Sequence, residues 1–314
     1  MKKTVLYIAF IIISVVFAAC SNDDDIITDN EETDKISLII NPVANMQTKV
    51  VDDDNLASEE TIKNLSIFFT EPSSTVIVDK YIHYNFRNVD DDRKLVILSL
   101  NPEVVKQKDI YIVANCDDVG MLNSYTTVSN LKNMPTPIAD SLNLLVPEDG
   151  FPMFGATLNF DFTTKEVAVV NLERAVTKMR ITLKFLDSTY VGTNNTFRIQ
   201  KAAKYTTISS EGSLTIPTDA YYNYISDMPF NENSAQEYIA IAYLYESAEV
   251  PILNIQSFLN NEVQTFSVRL PLPLRNYLYD IEVDILPENQ TTSSSLKSEA
   301  VQVVVKSKIT PSRW

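Results

Sequence analysis

The sequence is poor in the residues that most enzyme chemistry needs. In 314 residues it has one histidine, two cysteines, one tryptophan and five glycines. His83 is the only imidazole, so a Ser-His-Asp relay would have to be built around it. It sits within an alternating, strand-like run and reads as a surface strand residue. No Gly-x-Ser-x-Gly elbow and no glycine-rich phosphate loop occurs. No Cys-x-x-Cys or His-x-x-x-His spacing offers a zinc site. Apart from Cys20 there is only Cys116, so no internal disulfide is expected, and Cys116, at the end of the apolar run Tyr111–Asn115, reads as a small buried hydrophobe. Basic residues are also short: 26 Lys and Arg against 41 Asp and Glu give a net charge of −15. That balance argues against nucleic acid, whose phosphates require clustered cations. The reading is therefore of a non-enzyme with no cofactor.

The N-terminus is set apart from the fold. Lys2 and Lys3 precede an apolar run, Val5–Ala19, which ends in Phe17-Ala18-Ala19-Cys20. A positive start, a short apolar core and small residues before the cut describe a secretory signal over residues 1–19. The run is shorter than the ~20 residues a spanning helix needs. The alternative is a plain signal peptide with an incidental cysteine. The pattern resembles a bacterial lipobox, with Phe17 where leucine is usual. The resemblance implies cleavage before Cys20, acylation of that residue, and retention on a bilayer by more than one acyl chain. Residues 20–35 then form an acidic linker.

What remains is rich in period-two alternation, the mark of half-buried strands. Met179, Ile181, Leu183 and Phe185 alternate with Arg180, Thr182 and Lys184. Leu158, Phe160 and Phe162 share a parity, as do Ile281, Val283 and Ile285. So do Val76, Val78, Ile82, Tyr84 and Phe86, broken by Lys80, and Val301, Val303 and Val305 near the end. Ile110–Ala114 and Tyr238–Tyr245 are nearly continuous and read as central strands buried on both faces. Short helices are expected at Ser58–Asn64, after Asn101-Pro102, and at Thr127–Met134 before Pro135. The fold expected is mainly β: sandwiches with short connecting helices. The boundary is placed at 171–174, giving domains 36–172 and 173–314, with no convincing sequence repeat between them. A polar stretch, 287–299, reads as a tether before a strand at 300–309.

Acidic runs at Asp23–Asp25, Asp52–Asp54 and Asp90–Asp92 could offer oxygen ligands to calcium, but none fits a twelve-residue calcium loop, and solvated turns explain them. Tyr221, Tyr222 and Tyr224 form an aromatic group that could stack on sugars, so a monomeric glycan-binding surface lipoprotein is one competing reading. A surface hydrolase is a weaker one.

The order of segments resembles the fimbrillin family, the type V pilins. The match runs from the lipobox and acidic spacer through the strand at Ile36–Ile40, Thr48-Lys49 and Ser58–Phe69, then Ile110–Asn115, Pro152–Gly155 and Leu172–Ile181. It implies two transthyretin-like β-sandwich domains and a lipoprotein route to the outer membrane. The acidic Ser21–Asp25 resembles the surface-export signal of lipoproteins in such bacteria. Family shaft subunits are cut after an arginine, freeing a first strand, and a neighbour's strand fills the groove. Here Ile36, Leu38 and Ile40 mark the displaced strand, and Val301, Val303 and Val305 a donor strand, unless the tail is simply the last strand of its own domain. No arginine lies between Cys20 and Arg87, and Lys49 stands near the family's cleavage position. The implied partners are other fimbrial subunits, the outer membrane through acyl chains, and host or bacterial surface ligands. The implied role is a fimbrial shaft subunit contributing to adhesion, or a lipid-retained anchor.

Overall fold

The computed structural model describes residues 35–42, 57–90, 93–99, 106–139, 150–164, 167–188, 191–212, 221–222, 228–259, 261–287 and 303–313. These form a mainly β protein of several sheets packed as sandwiches.

The first half contributes two sheets. One has the order β4 (Arg87–Asp90), β5 (Arg93–Ser99), β1 (Lys35–Asn41), β8 (Val167–Asn171). The other runs β3 (Ile77–Tyr81), β2 (Leu65–Thr70), β6 (Gln107–Ala114), β7 (Met153–Asp161), β9 (Glu173–Arg174). Between them lies a core of Leu38, Ile40, Val96, Leu98, Ile110, Ile112 and their neighbours. The outer face of the second sheet is also covered. Phe68, Tyr111, Val113 and Phe154 pack under two short helices, α1 (Val119–Ser124) and α2 (Val128–Lys132). Hence Ile110–Ala114 is buried throughout, as its unbroken apolar run requires. Each helix starts on a side-chain cap: Asp118 accepts from the Met121 amide and Thr127 from the Asn130 amide.

The second half repeats this order. One sheet is β15 (Asn231–Ser234), β16 (Glu237–Tyr245), β10 (Val176–Phe185), β19 (Tyr277–Pro287), β20 (Val303–Arg313). The facing sheet is β14 (Met228–Pro229), β11 (Thr193–Gln200), β17 (Ile252–Leu259), β18 (Glu262–Arg269). A two-stranded ribbon pairs β12 (Ala202–Ala203) with β13 (Tyr221–Tyr222). In each half the first strand lies between an antiparallel and a parallel neighbour: β1 between β5 and β8, β10 between β16 and β19. The repeat is one of topology and leaves no trace in the amino-acid order. It differs at two edges: β20 adds a fifth strand to one sheet of the second half, and β9 a fifth to the other sheet of the first.

The expected alternation holds for Met179, Ile181, Leu183 and Phe185, and for Ile281, Val283 and Ile285, all buried. It fails where the ladder slips. Leu158 is exposed while Phe160 and Phe162 are buried. A bulge between Lys108 and Ile110, with Asn159 at φ 53, flips the parity there. Val76 and Val78 are exposed, because β3 turns Ile77 and Tyr81 toward the cores instead. The strand then ends at a turn where His83 has φ 49. His83 is thus a half-buried turn residue, with Nε2 3.0 Å from the Cys116 carbonyl oxygen, and not an alternating surface strand residue. The expected two-turn helix from Ser58 is a single 3-10 turn, Ala57–Glu60. The one expected after Asn101-Pro102 lies outside the described residues.

Candidate assembly strands

β1 is built as an internal strand. Leu38 and Ile40 are fully buried, and Ser37, Ile39 and Asn41 alternate with them on the outer face at intermediate exposure. Ile36 is in the same strand, opposite Leu98. Leu38 pairs with Val96 on one side and Ala168 on the other, and Ile40 with Lys94 and Val170. The strand's exit is pinned: the Leu172 amide donates to the Asn41 carbonyl (2.8 Å) and Asn41 Nδ2 to Asn171 Oδ1 (3.0 Å). Burying two branched aliphatic side chains contributes roughly 1.5–3 kcal/mol each. Both neighbours of β1 would be left with open edges if it departed, beside a groove bordered by Val96 and Leu98 on one side and Ala168 and Val170 on the other.

The far edge of β8 is closed by β7. Thr157 Oγ1 donates to the Val169 carbonyl (2.7 Å). At Gly155 a Cβ would stand 2.2 Å from the Asn171 carbonyl oxygen, so only glycine allows β7 to pass this close. The groove of β1 therefore has one closed wall and one sheet continuing through β5 to β4.

A buried charge network ties this region to the second half. Glu59, in the turn that follows residues 43–56, places Oε1 3.0 Å from Lys178 Nζ on β10, and both side chains are almost wholly buried. The Tyr243 hydroxyl on β16 donates to the same oxygen. Arg174 Nε donates to the Glu59 carbonyl (3.2 Å), and Arg174 lies 4.0 Å from Glu60. Burial lowers the Arg174 guanidinium from its ordinary value, opposed by Glu60 and Glu59. Sequence reading missed this network. Lys178 shares the parity of Arg180 and reads as outward-facing; only the packing of the 57–60 turn over it makes it internal. The first core also takes in Val176, Tyr243 and Tyr245 from the second half.

β20 lies antiparallel along β19, with Val303 opposite Pro287, Val305 opposite Ile285 and Ile309 opposite Ile281. It runs to Arg313, past the expected end at 309, and pairs with no other strand among the described residues. Val301, Cys20 and Lys49 lie outside the described residues, as do Asp23–Asp25, Asp52–Asp54, Tyr224 and Trp314. Tyr221 is half-buried and packs against the first core. Among the described residues no cluster of His, Cys, Asp and Glu has the form of a metal site. Cys116 is buried and unpaired with another cysteine, and burial raises its thiol well above the ordinary range.

Neither a protein-family model nor a curated protein matches the sequence. Solved structures do match. A candidate cell adhesion protein from Parabacteroides distasonis superposes with a TM-score of 0.62 at 11% identity, over 89% of this chain and 97% of that one. The tip fimbrial protein Mfa3 from Porphyromonas gingivalis, with C-terminal truncation, gives 0.55 at 14% identity, over 89% and 100%. A candidate cell adhesion protein from Bacteroides eggerthii gives 0.55 at 13%, over 90% and 96%. The chain has the fold of these proteins. The likeness spans them almost end to end.

Proposed function

We propose that the chain is a structural subunit of cell-surface fimbriae, exported as a lipoprotein through Cys20 and assembled by β-strand addition. The observation that carries this reading is the place of β1. It is the first strand among the described residues, it is internal, and the chain segment that follows it contains Lys49. A cut there would leave β1 held by pairing and by Leu38 and Ile40 alone. Its departure would open backbone groups on two strands at once, and unpaired buried groups of this kind must find partners. An extended segment of another subunit satisfies both edges, with alternate side chains entering the places of Leu38 and Ile40. The two pairs of sheets act as two domains meeting near residues 172–176, joined by the Glu59–Lys178 network, so that force along a polymer passes through a buried junction.

A second reading is favoured by one observation. No arginine lies between Cys20 and Arg87. A subunit left uncut would keep β1 and its acyl chains and serve as a fimbrial anchor. Surface material separated on a gel without boiling tests both. The shaft reading expects a ladder of stable multimers whose subunits begin at Val50, and a Lys49→Gln chain that stays out of the ladder. A blocked N-terminus at Cys20 in fimbria-bound protein selects the anchor. A chain never found joined to other subunits refutes both.

A further inference from the structure

The outer face of the sheet β14-β11-β17-β18 takes no part in the assembly reading. On β17, Leu253 and Ile255 turn into the core, so Asn254, Gln256 and Phe258 turn outward. The register places Asn254 in a row between Arg198 on β11 and Ser267 on β18. Arg269, two residues on from Ser267, lies diagonal to Asn254 on the same face. Phe258, 39% exposed, stands two rows away in the other direction. The whole chain has a net charge of −15, yet the outward positions of these three strands carry two arginines and no aspartate or glutamate.

Asn254 is 9% exposed although it faces outward. Its Oδ1 accepts from Ser267 Oγ at 2.6 Å. The amide is planar, so Nδ2 points away from β18 and toward β11. Nδ2 is buried and has no hydrogen-bond partner among the described residues. Directly across on β11 stands Arg198, whose guanidinium donates and cannot accept. Cβ atoms of such cross-strand pairs are about 5 Å apart. Two donor-only groups this close call for an acceptor between them, and a buried donor left unpaired is costly. Arg198 has a contact elsewhere, but its five N–H groups leave donors over. A negatively charged oxygen suits the place best, because charge-assisted bonds are the stronger ones. Arg269 adds positive potential to the same face. Gln256 beside Asn254 is long, unbranched and half-buried, and can swing aside to admit such a group.

The geometry points to a binding site for a carboxylate-bearing saccharide on this face, with the carboxylate received between Asn254 Nδ2 and Arg198. Phe258 and the closed backbone favour a sugar over an acidic peptide. The ring lies four residues along β17 from Asn254, about 13 Å at 3.3 Å per residue, and offers its apolar body to the face of a second sugar unit. Gln256, between them, has both donors and an acceptor for hydroxyls. A peptide adds to a sheet at a free edge, whereas the backbone of β17 is already paired on both sides. This does not rest on the fimbrial reading, since β11, β17 and β18 take no part in it.

The full-length protein is tested against an array of uronic-acid and sialic-acid oligosaccharides, each beside its carboxyl-reduced form. Carboxylated members bind, binding falls about tenfold or more on carboxyl reduction, and it weakens as salt rises. Asn254→Asp keeps an acceptor for Ser267, puts a second acceptor beside Arg198, and loses about tenfold in affinity. Arg269→Glu, at an exposed position where folding is not at stake, also weakens binding. In nitrogen-15 NMR spectra the Asn254 side-chain amide shifts on titration with the tightest acidic saccharide and stays in place with its reduced form. The proposal is overturned if no carboxylated saccharide binds at millimolar concentration, or if the reduced forms bind equally. Full affinity in Asn254→Asp, or a poly-aspartate peptide that outbinds every sugar, overturns it too.

Discussion

Replacing Lys178 by methionine isolates the junction's electrostatics. Methionine keeps much of the stem's bulk, so the main loss is the ammonium 3.0 Å from Glu59 Oε1. The carboxylate of Glu59, 1% exposed, then loses its closest cation. Removing one partner of a buried ion pair costs about 3–5 kcal/mol, since the other charge stays out of water. Tyr243 still donates to Glu59, which holds the expectation at the lower end, about 3 kcal/mol. The double variant Glu59→Gln/Lys178→Met has no charge to strand and keeps an acceptor for Tyr243. It is expected to recover at least about 1 kcal/mol relative to the sum of the single variants. Equilibrium urea unfolding of the four proteins gives the cycle, read from midpoints at constant slope. A Lys178→Met cost under about 1 kcal/mol, or strict additivity, refutes the claim that this pair is a buried, coupled element of the junction.

Three further outcomes are expected. Gly155→Ala destabilises by about 1–3 kcal/mol in the same unfolding assay, because its methyl meets the Asn171 carbonyl, a backbone atom that cannot step aside; Gly120→Ala in α1, whose nearest neighbour is 3.4 Å away, does not. Cys116 resists a thiol reagent in the folded protein at pH 8 and reacts once urea unfolds it, since burial holds its proton; rapid labelling of the native chain would contradict this. Stability falls as pH rises above about 10. The unfolded chain loses its phenolic protons there, while burial keeps those of Tyr245, whose hydroxyl donates to the Pro137 carbonyl, and of Tyr81, pushed up to about 12. The stabilisation is complete below the ordinary value of 10.0 and is lost through the folded value, which urea midpoints measured across that range follow.

Much of the architecture was legible from local pattern. Strands with one buried face and no bulge, such as β10 and β19, declare themselves by parity alone. Thr127 marks α2, and the unbroken run at Ile110–Ala114 marks a doubly covered strand. The failures share a cause: parity reads straight through a ladder and cannot register a slipped residue. Asn159 and His83 both occupy left-handed backbone, and Leu158 and Val78 come out on the wrong face. α1 was missed because six residues are too few for a period to show. Of the candidate assembly residues, Leu38 and Ile40 were legible as a buried pair. Their internal place in the sheet was not, because it depends on β8, far along the chain. The topological repeat was hidden for the same reason, since pairing order is a property of contacts between distant segments.

The parallel pairing of β1 with β8 bears on the order of folding. Residues 35–41 cannot complete their sheet until 167–171 have emerged, so the earliest of the described strands is among the last to be seated. Loop closure over that span is a slow step, and β4 with β5, and β2 with β3, can pair locally before it. A strand that arrives late is also one whose withdrawal retraces a short stretch of the folding route. The rest of the sandwich can form its local pairings before that strand is seated.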